Sequence, residues 1–460
     1  MLRLLANPRM AKRILISAWY ILCAAARLGF RLSWNCITRT RTTRGRIIGR
    51  ALAQVLQSLG PTYIKLGQIF STRRDLFSAE VIDELSRLQD RLPPPPFGFV
   101  LTTLRQELGV KFQEAFCEFD TKPVSSASIA SVYRGRLRDG RPVAVKVLRP
   151  NIARLIREDR RLLLWTALCL EHFPPLRRIP ISSAIAEFCE CLERQIDLRL
   201  EAAANRRLRS ALVPEPRIII PALVDELCSA SIITMEFIEG FHCPMPEESD
   251  ELREATCAVL RALYRMIFVE GFVHCDLHWG NLHFLNDGRA AMVDFGFMAE
   301  LSAAERFKFA EFFYGLATKD GKRCAKITLE TAFFVPSNLN RTLFEMAVTL
   351  LVDRFSSTEV RDFQVSDFVI QLFNIQRDYG IVGTSAFTMA IVSLLVFEGI
   401  AKVVYPDLDF QREAIPFIFH MTTHGTRAMG SSTFPLSGRS EAARETRREK
   451  STPVILRKLK

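Results

Sequence analysis

The sequence predicts an α+β fold of two lobes, preceded by an N-terminal helical extension. Residues 113–148 read as three short strands, whereas most of the chain after residue 296 has helical apolar spacing. An ordered run of acidic and amide side chains, residues 271–296, separates these two parts. With 460 residues, of which 48% are hydrophobic and 24% charged, the chain can bury one large core or two modest ones.

The stretch from Gly271 to Gly296 reads GFVHCDLHWGNLHFLNDGRAAMVDFG and contains the predicted catalytic and metal-binding residues. His274, Asp276, Asn281 and Asp294 occur in the order found in the catalytic and metal-binding loops of protein kinases. In that role one aspartate orients or deprotonates the acceptor, while an asparagine and a second aspartate hold Mg²⁺ against the phosphates of ATP. The plain alternative is a buried histidine with two structural acids.

A short hairpin is predicted between the two metal-binding positions. Asn281 begins the apolar run NLHFL, the turn Asn-Asp-Gly follows at 286–288, and RAAMV leads to Asp294. Such a hairpin returns Asn281 and Asp294 to one site, which favours the catalytic interpretation over the structural one.

Upstream, the strand Val-Ala-Val-Lys ending at Lys146 is typical of the lysine that contacts the α- and β-phosphates in kinases. The loop before it reads PVSSASIAS instead of being glycine-rich. Its small side chains would still allow backbone amides to approach phosphates, but Cβ atoms make it stiffer. The predicted phosphate-binding residues of this loop are Ser125, Ser126, Ala127 and Ser128.

An acid must pair with Lys146 to hold it on the phosphates. Glu201, in DLRLEAAANRR, is the favoured candidate, and Glu187, Glu190 and Glu193 are expected as rivals on the same helix. The long interval from Lys146 to Glu201 predicts an extra inserted helix. Without such a partner, a glutamate on a charged helix would normally face solvent.

Strand signals in residues 216–240 end in IITMEFIEG, which predicts an interlobe hinge. The backbone of Glu236 and Phe237 would bind adenine there, before the helices that start near residue 247. Further helices are predicted near 302–317, 321–334, 338–354, 359–376, 384–404 and 409–422. No Ala-Pro-Glu triplet follows the Asp-Phe-Gly sequence, so the segment that docks peptides in ordinary kinases is predicted to be missing.

Residues 43–110 are predicted to be helical. A first helix, 44–59, ends at Gly60-Pro61, and a second contains Lys65, Gly67 and Gln68. Ser78 opens a third, which the prolines at 93–96 end. From spacing alone, Lys65 and Gln68 would be surface residues of an amphipathic helix.

The net charge of +12 is concentrated at the two ends of the chain. Residues 1–50 carry 11 Lys and Arg and no acid, and residues 426–460 carry +6, which leaves −5 on the remainder. A nucleic-acid enzyme would carry its positive charge around the site, so this distribution favours contact with anionic lipid headgroups. For the C-terminal tail, simple solvation is the alternative.

No membrane-spanning helix is predicted. The apolar run Ile14 to Ala26 has 13 residues and is closed by Arg27, whereas a bilayer span needs ~20. Its Trp19, Tyr20 and basic flanks predict a helix lying in the membrane interface; a signal peptide is the rival interpretation. The later apolar stretch, 384–397, is followed by Glu398 and is predicted to be buried. The eleven cysteines lack metal or redox spacing and are predicted to be reduced.

With these motifs the chain resembles the UbiB family, also called AarF- or ADCK-type atypical kinases, over about residues 50–420. The motifs are GPTYIKLGQIFSTRRDL, SSASIASVYRG, VAVKVLRP, IDLRLEAAAN, HCDLHWGN and VDFG. The resemblance implies a protein-kinase-like fold whose N-terminal helices cover the active site. It implies that Lys146, Glu201 and Asp276 are catalytic, that Asn281 and Asp294 bind Mg²⁺, and that Lys65, Gln68 and Asp197 are lid residues close to ATP.

The resemblance also implies the activity: an Mg-ATP-dependent atypical kinase or ATPase that supports ubiquinone biosynthesis. Its expected place is cytoplasmic, bound peripherally to the inner membrane. The implied partners are membrane lipids or quinone precursors and other quinone-biosynthesis enzymes, and not nucleic acid. Two alternatives stay open. One is a small-molecule phosphotransferase of the aminoglycoside or choline kinase type, and the other is an ATP-gated, non-catalytic lipid-binding protein.

Two positions depart from the family pattern. Gln195 stands where the family's Glu-x-Asp motif has its glutamate, which removes a charge that could pair with Lys65, and Trp279 replaces a proline. The predicted organisation is a basic, interfacial segment 1–42, a helical extension 43–112, an N-terminal lobe 113–240, a helical C-terminal lobe 241–424 and a disordered basic tail 425–460.

Overall fold

The computed structural model describes residues 8–38, 43–73, 77–88, 93–172, 181–239, 249–356 and 364–430. Helices precede the first strand throughout this part of the chain. They are α1 (Pro8–Thr38), α2 (Arg44–Leu59), α3 (Pro61–Thr72), α4 (Ala79–Leu85), α5 (Phe97–Leu108) and α6 (Val110–Ala115). The predicted helix 44–59 is confirmed at both ends, since Gly60 adopts a φ of 101° and Pro61 begins the next helix.

Helix α4 begins after Ser78 as predicted but ends at Leu85, well before the proline run. The chain turns there, with the Leu88 amide bonded to the carbonyl of Leu85, and Leu88 is buried against α2 and α3. Gly67 on α3 permits this packing, because a Cβ atom at that position would lie 2.9 Å from Leu56 and closer still to Leu88.

A mainly antiparallel sheet forms the N-terminal lobe, as predicted. Its described strands are β1 (Phe116–Phe119), β2 (Ser125–Ser126), β3 (Ala130–Leu137), β4 (Pro142–Leu148) and β6 (Ile232–Glu236), in the order β1-β3-β4-β6 with β2 on β3. Gly140 makes the β3–β4 turn with a φ of 88°. The sequence did not predict β2, whose two residues are too short for an alternating pattern.

Three helices lie between β4 and β6: α7 (Ile152–Glu171), α8 (Ile181–Gln195) and α9 (Leu198–Ala211). The predicted insertion is confirmed. The expectation that Glu187, Glu190, Glu193 and Glu201 share a helix is wrong, because the helix breaks at 196–197 and Glu201 lies on α9. Asp197 caps α9 by accepting a hydrogen bond from the Arg199 amide at 3.2 Å.

Short strands organise the start of the C-terminal lobe. They are β5 (Ile218–Ile219), β7 (Phe272–His274), β8 (Leu282–Phe284), β9 (Ala290–Met292) and β10 (Met298–Glu300), with α10 (Asp250–Tyr264) and a π-helical turn (Arg265–Glu270) between β6 and β7. Strands β8 and β9 form the predicted hairpin, with Leu282 opposite Met292. Strand β10 pairs with β7, and the next helix begins at Ala303, so no long segment follows Asp-Phe-Gly in this described region.

The rest of the C-terminal lobe is helical. Its elements are α11 (Ala303–Ala317), α12 (Gly321–Glu330), β11 (Ala332–Phe334), α13 (Arg341–Ser356), α14 (Val365–Asp378), β12 (Val382–Gly383), α15 (Ser385–Val404) and α16 (Phe410–Gly430). A helix is confirmed in each predicted region, and the one predicted over 359–376 is described from Val365. The predicted helix 321–334 is wrong at its end, because it stops at Glu330 and Ala332–Phe334 form a strand, so the β11–β12 pair was missed. Because α16 continues to Gly430, the predicted tail boundary at 425 is wrong; residues 431–460 lie outside the described residues.

Among the described residues, two helices are long and apolar enough to cross a membrane, judged by length and composition alone. They span Ala11–Phe30 and Ser385–Val404. The second is mostly buried in the C-terminal lobe, which confirms its predicted core role. The first helix corrects the predicted length of the apolar run: the run continues past Arg27 to Phe30, so the predicted 13 residues are too few.

The described residues form three apolar cores. The smallest packs α5 on the N-terminal sheet, and the two larger ones hold the helical extension and the lobes together. One fills the C-terminal lobe around α10, α11, α14 and α15. The other joins the extension to the N-terminal lobe, because Leu56, Tyr63 and Leu66 cluster with Ile156, Leu192 and Met235. The helices α2–α4 are therefore packed onto the N-terminal lobe next to the cleft between the lobes.

Candidate active site

Lys146, Glu201 and Asp294 meet in the cleft between the two lobes. The Lys146 ammonium donates to both carboxylate oxygens of Glu201, at 2.8 and 2.9 Å, and lies 3.0 Å from Oδ1 of Asp294. Glu201 is therefore the partner of Lys146, as predicted. Lys146 and Glu201 are buried, whereas Asp294 opens onto the cleft.

Local structure explains how these residues meet. Lys146 lies opposite Ile233 and Val132 in the central strand β4, on the same face as Ala144. Glu201 lies in the first turn of α9, whose start is fixed by the Asp197 cap. A buried ammonium needs a paired acid, and two are provided.

The ionisation of the triad follows from burial and charge together. Burial raises the pKa of Glu201 to about 7, despite the bond from Lys146. Burial disfavours the charged form of Lys146, but Asp294 and Glu201 outweigh it and raise the pKa of its ammonium. Burial alone would raise the pKa of Asp294, but the positive charges of Lys146 and Lys65 outweigh it and hold the pKa well below its usual range. Asp294 is thus a permanent anion facing the cleft.

The backbone at Asp294 aims this carboxylate. Asp294 adopts a φ of 61°, a left-handed conformation uncommon for a non-glycine residue, and its Oδ1 accepts from the Gly296 amide at 3.3 Å. The next residue, Phe295, is buried with its ring 5.6 Å from the imidazole of His274. This conformation places Phe295 in the core and turns the Asp294 carboxylate toward the cleft.

His274 connects the loop that contains Asp276 with the loop that contains Asp294. Its ring Nε2 lies 3.3 Å from the carbonyl of Val293, and its Nδ1 accepts from the amide of Asp276 at 3.2 Å. Burial lowers the pKa of His274, so the ring is neutral at neutral pH. The carbonyl of His274 accepts a 2.6 Å hydrogen bond from the fully buried hydroxyl of Ser393 on α15. No pattern in the sequence indicated Ser393.

Asn281 and Asp294 fit a hard divalent cation. The Asn281 amide nitrogen donates to the carbonyl of Asp276 at 2.9 Å, which leaves its amide oxygen available as a ligand. Both residues line one cavity. Among the described residues no group of three His, Cys, Asp or Glu side chains could hold a metal, so Mg²⁺ would need phosphate oxygens as further ligands.

The cavity has a volume of about 730 Å³ and lies between the lobes. Its lining includes most of the predicted nucleotide-binding residues: Ser125, Ser126, Lys146, Glu236, Phe237, Asn281 and Asp294. Trp279, half-exposed, also contributes to the lining, packed edge-on against Phe284. The cavity size and its hinge-side apolar wall match what a nucleotide requires.

Arg149 fixes the loop that replaces the glycine-rich turn. Its guanidinium donates to the Ala127 carbonyl at 2.7 Å, to Ser126 Oγ at 2.9 Å and to the Pro93 carbonyl at 3.0 Å. Ser126 also lies 3.0 Å from Ser131 across β2 and β3. Ser125 and Ser126 line the cavity, whereas Ala127 and the buried Ser128 do not, and phosphate binding by these two stays a prediction.

Lys65 reaches the catalytic loop from α3. Its ammonium lies 4.0 Å from Oδ2 of Asp276 and is mostly buried, so the predicted lid position is supported for Lys65. The imidazole of His278 lies 3.7 Å from the other carboxylate oxygen. Gln68 instead donates to the Leu88 carbonyl at 3.4 Å, so its described contact is with the extension itself.

Comparison with known proteins decides the family. Residues 87–328, more than half of the chain, match the ABC1 atypical kinase-like domain. The chain belongs to the ABC1 atypical kinase-like family. The predicted resemblance to UbiB proteins and the predicted protein-kinase-like fold are thereby confirmed.

Curated relatives bear the name "Probable protein kinase UbiB". This ABC1 chain is 28% identical to that of Azotobacter vinelandii over 400 residues, which cover 85% of this chain and 74% of the relative. It is 30% identical to that of Histophilus somni over 393 residues, 82% of this chain and 71% of the relative. A solved Rv3197–erythromycin complex from Mycobacterium tuberculosis is 22% identical, with a TM-score of 0.46, over 68% of this chain and 84% of that one.

The family's Glu-x-Asp motif, which reads Gln195-Ile196-Asp197 in this ABC1 chain, has a clear structural place. Gln195 ends α8, with its amide 3.9 Å from the sulfur of Cys191. Asp197 binds the Arg199 guanidinium through both oxygens, at 2.8 and 2.7 Å, and is not a lining residue of the cavity. Asp197 therefore serves as a helix cap, and its contribution to the ATP site stays a prediction.

Proposed function

We propose that this protein is an Mg-ATP-dependent atypical kinase or ATPase that supports ubiquinone biosynthesis at the cytoplasmic face of the inner membrane. Its proposed partners are membrane lipids or quinone precursors and other quinone-biosynthesis enzymes. The observation that carries the proposal is the convergence of Lys146, Glu201 and Asp294 on a cavity that Asn281 also lines.

The chemistry of this site follows from its charges. When bound, Mg²⁺ would supply positive charge that offsets the negative charge developing during phosphoryl transfer. Lys146, held by Glu201, would contact the phosphates, and Asp294 and Asn281 would hold the ion. Asp276 would orient the nucleophile, either water or an acceptor hydroxyl.

The position of Lys65 supports a small acceptor or water over a protein substrate. Helix α3 brings this side chain to 4.0 Å from Asp276, where a docked peptide would have to present its hydroxyl. The short connection from Asp294 to α11 leaves little backbone for peptide docking. The named relatives, called "Probable protein kinase UbiB", support the kinase-like class and not a particular acceptor.

ATP hydrolysis tests this function. We expect Mg-dependent turnover by the wild-type protein and a decrease of at least about 100-fold for Asp276→Asn, because proton abstraction or orientation is lost. The matched control is Asp287→Asn in the β8–β9 turn, whose carboxylate pairs with exposed Arg289 and not with the cleft. Equal turnover by wild type and Asp276→Asn would reject the proposal.

Acceptor specificity separates the alternatives. Turnover stimulated by soluble alcohols or amines, and not by quinone-precursor-like phenols in vesicles, would favour a phosphotransferase of the aminoglycoside or choline kinase type. Negligible turnover together with Mg-dependent ATP binding and vesicle binding would favour the non-catalytic lipid-binding protein.

A further inference from the structure

Helix α1 presents an apolar stripe away from the rest of the described molecule. Leu15, Trp19 and Leu22 are 69%, 67% and 67% exposed. Spaced four and three residues apart on a helix of 3.6 residues per turn, they lie within about 60° of one another. Single exposed apolar residues are normal on soluble proteins, but three large ones on one face indicate an interaction surface.

The opposite face of α1 is anchored to the protein. Arg13 donates to both oxygens of Asp159 on α7, at 2.7 and 3.0 Å, and to the Leu59 carbonyl at 2.6 Å. Its guanidinium lies 5.7 Å from the ring centre of Tyr63, and Ser17, one turn further along, is buried. Arg13 and Ser17 lie about half a turn away from the stripe on the helix circumference.

This anchor fixes the orientation of the helix. The Asp159 side chain is fully buried, and a buried carboxylate without its partner is strongly unfavourable. Helix α1 is long and apolar enough to span a membrane. However, Arg13 cannot both enter a bilayer and keep its bond to Asp159 inside the folded domain. While docked, α1 therefore lies along the protein with its stripe pointing outward.

The charge around the stripe identifies the partner. Residues 1–50 carry 11 basic residues and no acid, and Lys12 and Arg27 are exposed near the two ends of the stripe. A tryptophan within an apolar face flanked by basic residues is typical of helices in the interface of anionic membranes. A second copy of this chain is disfavoured, because a symmetric contact would bring the same positive charges together.

We propose that the Leu15–Trp19–Leu22 face of α1 lies at the headgroup–acyl boundary of an anionic bilayer. The Arg13–Asp159 pair keeps the helix flat against the domain. The inference rests on the proposed membrane location and names the surface responsible. Because α1 packs on α2 and its Arg13 contacts Tyr63 of α3, it is the helical extension, and not the C-terminal lobe, that faces the lipid.

Vesicle flotation of the full chain tests the proposal. We expect binding to phosphatidylglycerol vesicles, weaker binding to phosphatidylcholine vesicles, and loss of the difference in about 1 M salt, where charges are screened beyond ~3 Å. The triple variant Leu15→Ser/Trp19→Ser/Leu22→Ser should reduce the partition coefficient at least about tenfold, since three buried apolar side chains are lost. Leu350→Ser on α13 is the control, because Leu350 is also 67% exposed; it should float like the wild type.

Two further measurements keep the test decisive. Comparison of the wild type with Trp19→Phe should show a blue-shifted contribution of Trp19 on anionic vesicles. The Asp294→Asn variant should float like the wild type, and the triple variant should keep Mg-dependent nucleotide binding in solution. A wrong membrane surface and a wrong proposed function would therefore give different results. Unchanged flotation of the triple variant would overturn the proposal. So would a wild-type protein that is a dimer and does not bind vesicles, together with a triple variant that is a monomer, because the stripe would then be a contact between two copies.

Discussion

The ammonium of Lys146 lies 3.0 Å from Oδ1 of Asp294 while it donates to both oxygens of Glu201. One cation thus faces two carboxylates, and the local excess of negative charge opens onto the cleft at Asp294. A divalent cation would be attracted to that position without any further rearrangement of charge. The arrangement links the N-terminal sheet, α9 and the β8–β9 hairpin.

The first prediction concerns the stability supplied by this contact. Lys146→Met leaves Glu201 and Asp294 facing each other without a cation, and breaking a buried pair costs about 3–5 kcal/mol. The free energy of unfolding, measured with denaturant, should fall by that amount. Lys322→Met, which removes an exposed lysine 3.9 Å from Glu345, should change it by no more than about 1 kcal/mol. Similar losses for both variants would show that the cleft pair is not structurally important.

The double variant Lys146→Met/Glu201→Gln provides a second reading of the same contact. Removal of the Glu201 charge relieves the repulsion that the first substitution creates. We therefore expect the double variant to be more stable than Lys146→Met alone.

The second prediction concerns pH. The folded-state pKa of His274 is depressed by burial, so below about pH 6.5 the unfolded chain binds a proton that the folded chain excludes. Stability from this group is complete above pH 6.5 and is lost as the pH falls, with a slope of up to about 1.4 kcal/mol per pH unit. The measurement is the unfolding free energy of wild type and His274→Gln between pH 5 and 8. The wild type should show the steeper decline on acidification; parallel curves would contradict the assignment.

The third prediction assigns a positioning role to Ser393. Its hydroxyl is the donor to the His274 carbonyl at 2.6 Å, and His274 in turn holds the backbone of Asp276 and Val293. Ser393→Ala should lower kcat for ATP hydrolysis about tenfold, since a small displacement of the catalytic loop is costly. The KM for ATP should change less than about twofold.

Controls separate this role from general destabilisation. Ser393→Thr keeps the hydroxyl and should restore most of kcat, and Ser385→Ala at the start of the same helix should leave kcat unaltered. If Ser393→Ala lowers the melting temperature but not kcat at 20 °C, the residue is structural only.

The fourth prediction concerns Lys65. Its ammonium lies near Asp276 and lowers the pKa of Asp294, so it opposes the approach of a second cation. Lys65→Ala should decrease the Mg²⁺ concentration needed for half-maximal nucleotide binding by about three- to tenfold, as expected for removal of one nearby charge. The variant Lys111→Ala, at an exposed lysine on α6, is the control for a general change in net charge and should leave this Mg²⁺ concentration unchanged. An unchanged or higher Mg²⁺ requirement would contradict this effect of Lys65.

Much of the fold could be predicted from local signals. Gly60-Pro61 fixed the end of α2, the Asn-Asp-Gly turn predicted the β8–β9 hairpin, and the apolar stretch at α15 was correctly assigned to the core. These features depend on residues close together in the chain. Lys146, Glu201, Asn281 and Asp294 were predicted from motif order, and the cavity brings them together.

What the sequence did not predict depends on distant contacts. Ser393 lies 119 residues after His274, and nothing in its neighbourhood distinguishes it from any other serine of an apolar helix. The capping role of Asp197 was also not predicted, because the motif order does not show its bonds to Arg199. Likewise, motif order does not indicate that Arg149 bonds the loop before Ser128 or that Ser128 is buried.

Mg-dependent nucleotide binding is the most direct test of the central claim, that this cleft holds Mg-ATP. A non-hydrolysable ATP analogue can be titrated calorimetrically into the wild type and Asp294→Asn, each with and without Mg²⁺. We predict that Mg²⁺ tightens binding to the wild type at least about tenfold, a difference of about 1.4 kcal/mol, and has no such effect on Asp294→Asn. The same Mg²⁺ dependence in both proteins would contradict the account.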